Sequence, residues 1–337
     1  MTPGITSFGT TGAAEPVHRI VIANGGLSAA LLTLGVALQD VRLAGVAHSL
    51  TVGSPALAPY ESAMATCGTI MGPIANRIGG ASAVIDGKTC HFDANLNGRH
   101  TLHGGAGATH SRVWTLTDHG PHHAEFELHL ADGAHGFPGN RTLTARYDID
   151  AAATLRLTLT ATTDAPTLMN LANHSYWRLA GAPTFSGQRL QIAADHYLPA
   201  SAGDMLPTGT IAPAENTRFD YRAPRALRAG AEGLIDTNFC LSRARRPLRE
   251  VARLRAQSGL TLTLSTTEPG LQVFDGHILD LPGIAGNDGV PNRAYAGLAL
   301  EPQFWPDAPN HPDFPPILMR PTESWQQITT WAFSGPV

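Results

Sequence analysis

Several short segments of this chain alternate strictly between apolar and polar residues, and this alternation constrains the fold more than any other feature. Leu155 to Thr160 alternates leucine with Arg or Thr, Leu260 to Ser265 follows the same pattern, and Thr142 to Ile149 approximates it. A period of two is typical of a β-strand with one buried face. Val84 to Thr89 contains Asp86-Gly87, a pair typical of hairpin turns. The sequence therefore predicts short strands joined by tight turns.

Turn-forming residues are abundant, and helical spacing is scarce. The 337 residues include 35 glycines and 25 prolines, a combined share above the usual ~12%. Residues 225–235 form the best candidate for a short helix. Because alternating strand and helix segments are missing, an all-β sandwich or barrel with few short helices is expected. Without a repeat or an internal linker, we expect one domain over residues 15–337, preceded by a loose N-terminal tail over residues 1–14.

Composition excludes several classes of function. The formal net charge is −4, which does not favour binding to nucleic acid. Arg243 to Arg255 contains six arginines and one glutamate, and we interpret it as a solvated connection or an edge strand. The longest mainly apolar stretch, Leu27 to Leu38, is too short to span a membrane, and no signal peptide is recognised. The odd number of cysteines, at positions 67, 90 and 240, without CxxC spacing, favours a reducing, cytoplasmic compartment.

Two of the segments that can carry chemistry combine a charged or aromatic side chain with glycines. In the first, Asn76-Arg77 precedes Gly79-Gly80, so Arg77 is either a snorkelling side chain beside a turn or a guanidinium that binds hydroxyls. In the second, His103 precedes two glycines, where backbone can approach a ligand closely. Neither segment is specific for a function by itself. Taken alone, the Arg77 segment favours a snorkelling side chain over a guanidinium that binds hydroxyls.

Two further segments place polar groups in apolar surroundings. Asn170 to Trp177 packs Asn, His, Tyr and Trp together, as a sugar site requires, although His174 alone is equally consistent with a hydrogen-bonded core histidine. Glu301 ends an apolar, strand-like run and is predicted to be buried, either as a general base or in an ion pair with an arginine. Asp236 and Gln272, each beside apolar residues, complete the candidate set. The histidines lack metal-ligand spacing, so no metal is expected.

Taken together, in order and spacing, these segments resemble the aldose 1-epimerase (galactose mutarotase) family from about residue 20 to the C-terminus. The motifs that carry the resemblance are Asn76-Arg77-Ile78, Leu102-His103-Gly104-Gly105, Gly136-Phe137-Pro138-Gly139, Asn170 through Trp177, Asp236-Thr237-Asn238-Phe239, Gly270-Leu271-Gln272-Val273, and Leu300 through Asn310. The resemblance implies a large antiparallel β-sandwich, often called a supersandwich, with a sugar bound in an open cleft.

The resemblance also implies roles for particular residues and a reaction without a cofactor. Glu301 matches the general base that takes the proton of the C1 hydroxyl, and His174 matches the general acid that protonates the ring oxygen. The residues that match substrate-binding groups, or that lie beside them, are Asn76, Arg77, His103, Tyr176, Asp236 and Gln272. The expected partner is a small sugar, and the expected assembly is a monomer or a homodimer.

Two departures from the family pattern bear on the identity of the sugar. Many members carry a Gly-Arg pair shortly before Asn-Arg, whereas this chain has Gly72-Pro73-Ile74. After the Gln272 segment this chain has Phe274-Asp275-Gly276-His277 in place of a Tyr-Thr-Gly-Asn-like turn. The sequence therefore leaves open an epimerase for a galactose- or glucose-type aldose, an epimerase for a different sugar or derivative, and a non-catalytic sugar-binding protein.

Overall fold

Antiparallel strands make up nearly all regular structure in residues 1–231 and 233–335, the part of the chain that the computed structural model describes. The first strands are β1 (Gly4–Thr10), β2 (Pro16–Asn24), β3 (Leu27–Leu32), β4 (Leu38–Leu43), β5 (Ile70–Met71), β6 (Arg77–Ile78), β7 (Ser82–Ile85), β8 (Lys88–His91) and β9 (Thr101–Leu102). The next are β10 (Thr115–His119), β11 (His123–Leu130), β12 (Arg141–Ile149), β13 (Thr154–Thr163), β14 (Thr167–Leu168), β15 (Ala172–Asn173), β16 (Tyr176–Trp177), β17 (Arg189–Ile192) and β18 (His196–Leu198). The last are β19 (Ala212–Pro213), β20 (Arg225–Ala226), β21 (Asp236–Cys240), β22 (Arg249–Arg255), β23 (Thr261–Thr266), β24 (Gly270–Phe274), β25 (Leu298–Gln303), β26 (Leu318–Met319) and β27 (Trp325–Ser334).

Short 3₁₀ turns are the only helical elements in the described ranges. They cover Ala58–Glu61, Gly79–Ala81, Thr109–Ser111, Ala134–Gly136 and Ala308–Asn310. No helix in these ranges has the length and apolar character needed to cross a membrane.

Three large sheets organise the described part of the chain. They have the strand orders β1-β2-β3-β4, β10-β11-β12-β13-β27-β23-β22-β17-β20 and β16-β25-β24-β21-β18-β19. Four two-stranded ladders supplement them, namely β14-β26, β15-β5, β6-β9 and β7-β8. Apolar side chains from the inner faces of the three large sheets form one continuous core. The all-β, antiparallel expectation is thereby confirmed.

The six-stranded sheet has one core face and one cleft face, because successive residues of a strand point to opposite sides. On β25, Leu298 and Leu300 join the main core, while Glu301 lies on the other face. The same division occurs on β16, where Trp177 enters the core and Tyr176 faces the cleft. The strand pattern therefore fixes which residues can reach a ligand.

The alternating segments correspond to strands. The segment Leu155 to Thr160 lies in β13, Thr142 to Ile149 in β12, and Leu260 to Ser265 largely in β23. Asp86-Gly87 turns between β7 and β8 with positive φ at both residues, +50° and +80°. These strand and hairpin predictions are confirmed.

Three local expectations differ from the structure. Within the predicted loose tail, Gly4–Thr10 is strand β1, paired with β2, and its largely exposed side chains explain why the apolar pattern gave no signal. Residues 225–235 form β20 and turns rather than a helix, because Gly230 and Gly233 adopt positive φ of +71° and +73°; Glu232 lies outside the described residues. The end of the arginine run is β22, an interior strand between β17 and β23 rather than an edge strand.

Candidate active site

One cavity of about 360 Å³ brings together all of the candidate residues. Its lining includes Asn76, Arg77, His103, His174, Tyr176, Asp236, Gln272 and Glu301. These residues are spread over more than 200 positions in the sequence, so the fold rather than local sequence assembles the site. The volume suits a single small ligand.

The register of the six-stranded sheet positions three of these side chains, those of Asp236, Gln272 and Glu301. Glu301 on β25 lies directly opposite Gln272 on β24. Gln272 in turn pairs with Asn238 on β21, two residues beyond Asp236 on the same strand. Since residues i and i+2 share a face, Asp236 and Gln272 both face the cleft, and the Gln272 side-chain amide donates a hydrogen bond to the Asp236 carboxylate.

The short β6–β9 ladder supplies the opposite wall. Asn76 and His103 both adopt left-handed backbone conformations, with φ of +63° and +52°. The Asn76 backbone N–H donates to Nδ1 of His103 over 3.2 Å, and the His103 N–H donates to the Asn76 carbonyl over 2.9 Å. Burial, together with the nearby His174, holds the pKa of His103 well below its usual value. His103 is therefore a neutral imidazole whose Nε2–H is left as a donor.

Arg77 connects this wall to the sheet. Its Nη2 lies 3.3 Å from Oδ2 of Asp236, and its Nη1 donates to the side-chain oxygen of Asn76 over 3.3 Å. Two buried polar atoms beside this network have no hydrogen-bond partner in the structure, namely Nε of Arg77 and Oε1 of Gln272. Because unpaired buried polar groups are costly, these atoms are suited to binding the hydroxyls of a ligand.

Glu301 and His174 form the deepest pair in the cavity. Glu301 is 2% exposed and His174 is 5% exposed, and Oε1 of Glu301 lies 3.5 Å from Nε2 of His174. The other carboxylate oxygen of Glu301 and Nδ1 of His174 have no partner in the structure. Nδ1 of His174 thus lacks the hydrogen bond expected of a structural core histidine, and no arginine among the described residues forms an ion pair with Glu301.

Burial dominates the protonation of this pair. It raises the pKa of Glu301 well above its usual value, with a further rise from the Asp236 carboxylate and an opposing effect of Arg77. Burial also lowers the pKa of His174 to about 4. Both effects disfavour the charged forms, so burial favours placing a proton on Glu301 rather than on His174.

Aromatic rings form one side of the cavity. Tyr176 lies 5.0 Å from the His174 ring, and Phe274 lies 6.1 Å from Tyr176 in an edge arrangement. Trp177, in contrast, packs 5.5 Å from Trp331 in the core and does not line the cavity. An apolar ring beside hydrogen-bonding groups matches the mixed C–H and hydroxyl surface of a sugar.

The remaining lining residues were not among the predicted site residues. They are Thr66, Leu102, Met205, Leu234, Phe274, His277 and Ile278. Met205 and Leu234 lie in irregular segments without any periodic pattern, so nothing in the sequence marked them. The Phe274–His277 stretch, which departs from the family pattern in sequence, lies at the rim, where Nδ1 of His277 is 2.9 Å from Asp275.

Metal-binding geometry is not found in this region. Across residues 1–231 and 233–335, no group of three or more His, Cys, Asp or Glu side chains is arranged to hold a metal ion.

Comparison with known proteins identifies the family. The sequence profile of the aldose 1-epimerases matches residues 18–331. The galactose mutarotase of Mus musculus is 34% identical over 331 residues, which cover 94% of each chain. The aldose 1-epimerase of Escherichia coli K12 is 30% identical over 95% of this chain and 96% of its own length.

A solved structure agrees with this assignment. The crystal structure of an aldose epimerase homologue from C. elegans superposes with a TM-score of 0.87 at 29% identity, covering 95% of this chain and 99% of the other. The galactose 1-epimerase of Lactobacillus acidophilus has the same fold, with a TM-score of 0.84. With a family profile spanning almost its full length and curated relatives at 30% identity or more, the chain belongs to the aldose 1-epimerase family of carbohydrate isomerases.

Proposed function

We propose that this protein interconverts the α and β anomers of a free galactose- or glucose-type aldose, with Glu301 and His174 as the acid–base pair. The observation that carries this proposal is the buried carboxylate–imidazole contact of 3.5 Å in a cavity rich in hydrogen-bonding groups. Anomer exchange requires one base and one acid, placed to reach the C1 hydroxyl and the ring oxygen.

In the ring-opening step, Glu301 removes the proton of the C1 hydroxyl, and O1 becomes the aldehyde oxygen. The bond between C1 and the ring oxygen breaks, and the ring oxygen takes a proton from His174. Rotation about C1–C2 then presents the other carbonyl face, and ring closure returns both protons. Each of the two groups contributes roughly 10²–10⁴-fold when it is well placed.

The proton count of the pair fits this cycle. Ring opening converts ionised Glu301 with protonated His174 into protonated Glu301 with neutral His174, so the pair holds one proton throughout. Burial favours the second, uncharged arrangement. Hydrogen bonds from sugar hydroxyls offset part of the cost of the charged arrangement, which brings the two arrangements closer in free energy and allows both half-reactions to proceed.

The remaining polar groups are proposed to hold the sugar. Asp236 and Gln272 accept from and donate to hydroxyls, while Arg77 and the Nε2–H of His103 donate. Tyr176 and Asn76 shape the wall against which the ring lies. All of these groups come from one chain, so the proposed chemistry is compatible with a monomer or a homodimer. The three free cysteines agree with the proposed cytoplasmic location.

The test follows the optical rotation of freshly dissolved α-D-galactose and α-D-glucose with wild-type protein, Glu301→Gln and His174→Asn. Wild-type protein should accelerate mutarotation above the buffer rate. Each variant should lose about 10²-fold or more in kcat, because each lacks one of the two proton-transfer groups.

Glu268→Gln provides a matched control. Glu268 is as buried as Glu301 but forms a salt bridge with Arg245 and does not line the cavity. This variant should lose stability yet keep its kcat. If Glu301→Gln keeps full activity, the assignment of the base is wrong. Sugar binding without faster anomer exchange would instead favour a sugar-binding protein.

The rim favours a second candidate, in which the same chemistry acts on a different sugar. His277 and Ile278 stand at the mouth of the cavity, and Ile278 is 61% exposed. We propose that these two side chains contact the part of the sugar that extends toward the mouth of the cavity. Comparing kcat/KM over a panel of such aldoses distinguishes the two candidates.

A further inference from the structure

A second cavity lies away from the active site, on the outer face of the nine-stranded sheet. It has a volume of about 710 Å³ and shares no lining residue with the sugar cavity. We call it the outer groove and define it by Arg189, Gln191, Arg253, Arg255, Thr261 and Thr263, with further lining from the ends of neighbouring strands. Neither the family chemistry nor the proposed catalytic residues use this groove.

The outer groove is positively charged, although the chain as a whole has a formal net charge of −4. Its lining contains three arginines, and none of its described lining residues is acidic. In the ladder between β17 and β22, Arg189 lies directly opposite Arg255. Like charges in opposed positions destabilise a sheet. An anion placed between these two guanidinium groups would relieve this repulsion.

The hydrogen-bond partners of the arginines leave two positive charges without a counter-charge. Arg253 forms a salt bridge with Glu250. Arg189 donates to the Pro224 carbonyl over 2.7 Å, which holds its guanidinium on the wall without neutralising it. The backbone of Arg255 pairs with Arg189 and Thr261, whereas its guanidinium makes no hydrogen bond or ion pair with any other described residue of the chain.

Other arginines of the segment Arg243 to Arg255 have structural roles and do not line the groove. Arg245 pairs with Glu268 and packs over Trp325, and Arg249 donates to the carbonyls of Thr266 and Glu268. The composition of the run could not distinguish the two groups. Only the sheet register shows which arginines face an open cavity.

We propose that the outer groove binds a small phosphate monoester. A phosphate monoester carries a charge of about −1.5 to −2 at neutral pH, which matches the two uncompensated arginines. Planar guanidinium groups bind phosphate oxygens through paired hydrogen bonds. The cavity exceeds the volume of a phosphate ion, and the hydroxyls of Thr261 and Thr263 with the amide of Gln191 suit a hydroxylated organic portion.

The test titrates glycerol 3-phosphate and inorganic phosphate into the full-length protein by calorimetry at low ionic strength, with and without galactose. Glycerol 3-phosphate is not an aldose, so it does not report on the active site. Arg255→Ala and Arg189→Ala should each weaken its binding about tenfold, the effect of losing a charge-assisted hydrogen bond. Arg156→Ala, on the same sheet face but outside the groove, should bind like wild type.

Folding and catalysis serve as independent controls. Arg255→Ala should unfold at the same or a higher temperature than wild type without ligand, because it removes an opposed cation, and all three variants should keep wild-type mutarotation. Absence of binding in wild type, or equal weakening in Arg156→Ala and Arg255→Ala, would overturn the proposal. Equal affinity for glycerol 3-phosphate and inorganic phosphate would show that the groove does not recognise the organic portion of a phosphate monoester.

Discussion

At the scale of single residues, the site is governed by where protons are held. Glu301 and His174 are both nearly inaccessible, and burial moves their pKa values in opposite directions. Two charged neighbours act on Glu301 with opposite signs, since Asp236 raises its pKa and Arg77 lowers it. The pH dependence of the reaction can therefore be shifted in either direction by changing one neighbour.

We expect a bell-shaped pH profile of kcat/KM. Its acid limb arises when the Glu301–His174 pair takes a second proton, near the His174 pKa of about 4. Its alkaline limb arises when the pair loses its one proton. Asp236→Asn removes the charge that raises the pKa of Glu301, so this limb should move to lower pH. Arg77→Gln should move it to higher pH.

Steady-state rates from pH 4 to 10 measure these shifts. Both variants should also be slower than wild type, because both residues are proposed to bind sugar. The position of the limb, rather than the rate, is the relevant quantity. Movement of both variants in the same direction would contradict the assignment of the alkaline limb to Glu301.

A second prediction at this scale concerns stability. A glutamate whose pKa is higher in the folded than in the unfolded state binds more protons when folded, so stability falls as pH rises from about 4.5 toward the raised pKa. Each unit of the shift corresponds to about 1.4 kcal/mol. Glu301→Gln should therefore raise the melting temperature at pH 8 more than at pH 4.5, while lowering kcat about 10²-fold or more. A lower melting temperature of this variant than of wild type at pH 8 would show that the contacts of Glu301 stabilise the fold by more than its burial costs.

At the scale of elements, the β6–β9 ladder depends on glycine beside His103. Gly104 has a φ of +88°, and a Cβ there would collide with the Gly72 carbonyl. Gly98 has a similar φ of +66° but open space around it. Gly104→Ala should thus destabilise the protein by about 1–3 kcal/mol more than Gly98→Ala, which carries backbone strain alone.

Chemical denaturation and steady-state kinetics measure both effects. Gly104→Ala should also raise KM, because it displaces the neighbouring His103, whereas Gly98→Ala should leave KM unchanged. Equal destabilisation by the two substitutions would show that the ladder can relax around the added methyl group.

Elements with strong alternation were predictable from the sequence, while short or exposed ones were not. The alternation in β12, β13 and β23 reports directly on one buried face. Strand β1 is held by backbone pairing and by an edge contact of Phe8 with Tyr60, and neither produces a periodic pattern. Two-residue strands such as β6 are too short for any period to be visible.

The candidate site was predictable because the resemblance to family motifs identifies the site residues directly in the sequence, without knowledge of how the chain folds. All eight predicted residues line one cavity, although their catalytic and binding roles stay predictions. Met205 and Leu234 were not predictable, since they reach the cavity from irregular segments. The structure also supplied what residue types cannot, namely the 3.5 Å contact between Glu301 and His174 and the direction of each pKa shift.

At the scale of the whole molecule, an aromatic cluster joins the nine-stranded sheet to the sheet that carries the site. Trp331 on β27 is fully buried and lies 5.5 Å from Trp177 on β16, the neighbour of Tyr176. Trp331→Ala should lower the free energy of unfolding by about 3–5 kcal/mol, as expected for a large core truncation. Trp331→Phe should cost less, because it retains most of the ring.

Urea denaturation measures this loss of stability. Steady-state kinetics at low temperature show whether the substitution also changes the active site. Trp331 does not line the cavity, so the folded fraction of Trp331→Ala should keep kcat within about twofold of wild type. A folded but inactive variant would show that packing behind β16 controls the position of Tyr176.

The two-sided character of the six-stranded sheet has a consequence for how the gene can vary. Core and cleft side chains alternate along β25. Deleting one codon before Glu301 would therefore shift the register by one residue, so that Glu301 takes the position of Leu300 and its carboxylate enters the hydrophobic interior. Point substitutions in this strand change one contact, whereas a single-codon insertion or deletion exchanges the two faces at once. Lineages of this protein should therefore accumulate length changes in the connecting loops and almost none within β21, β24 and β25.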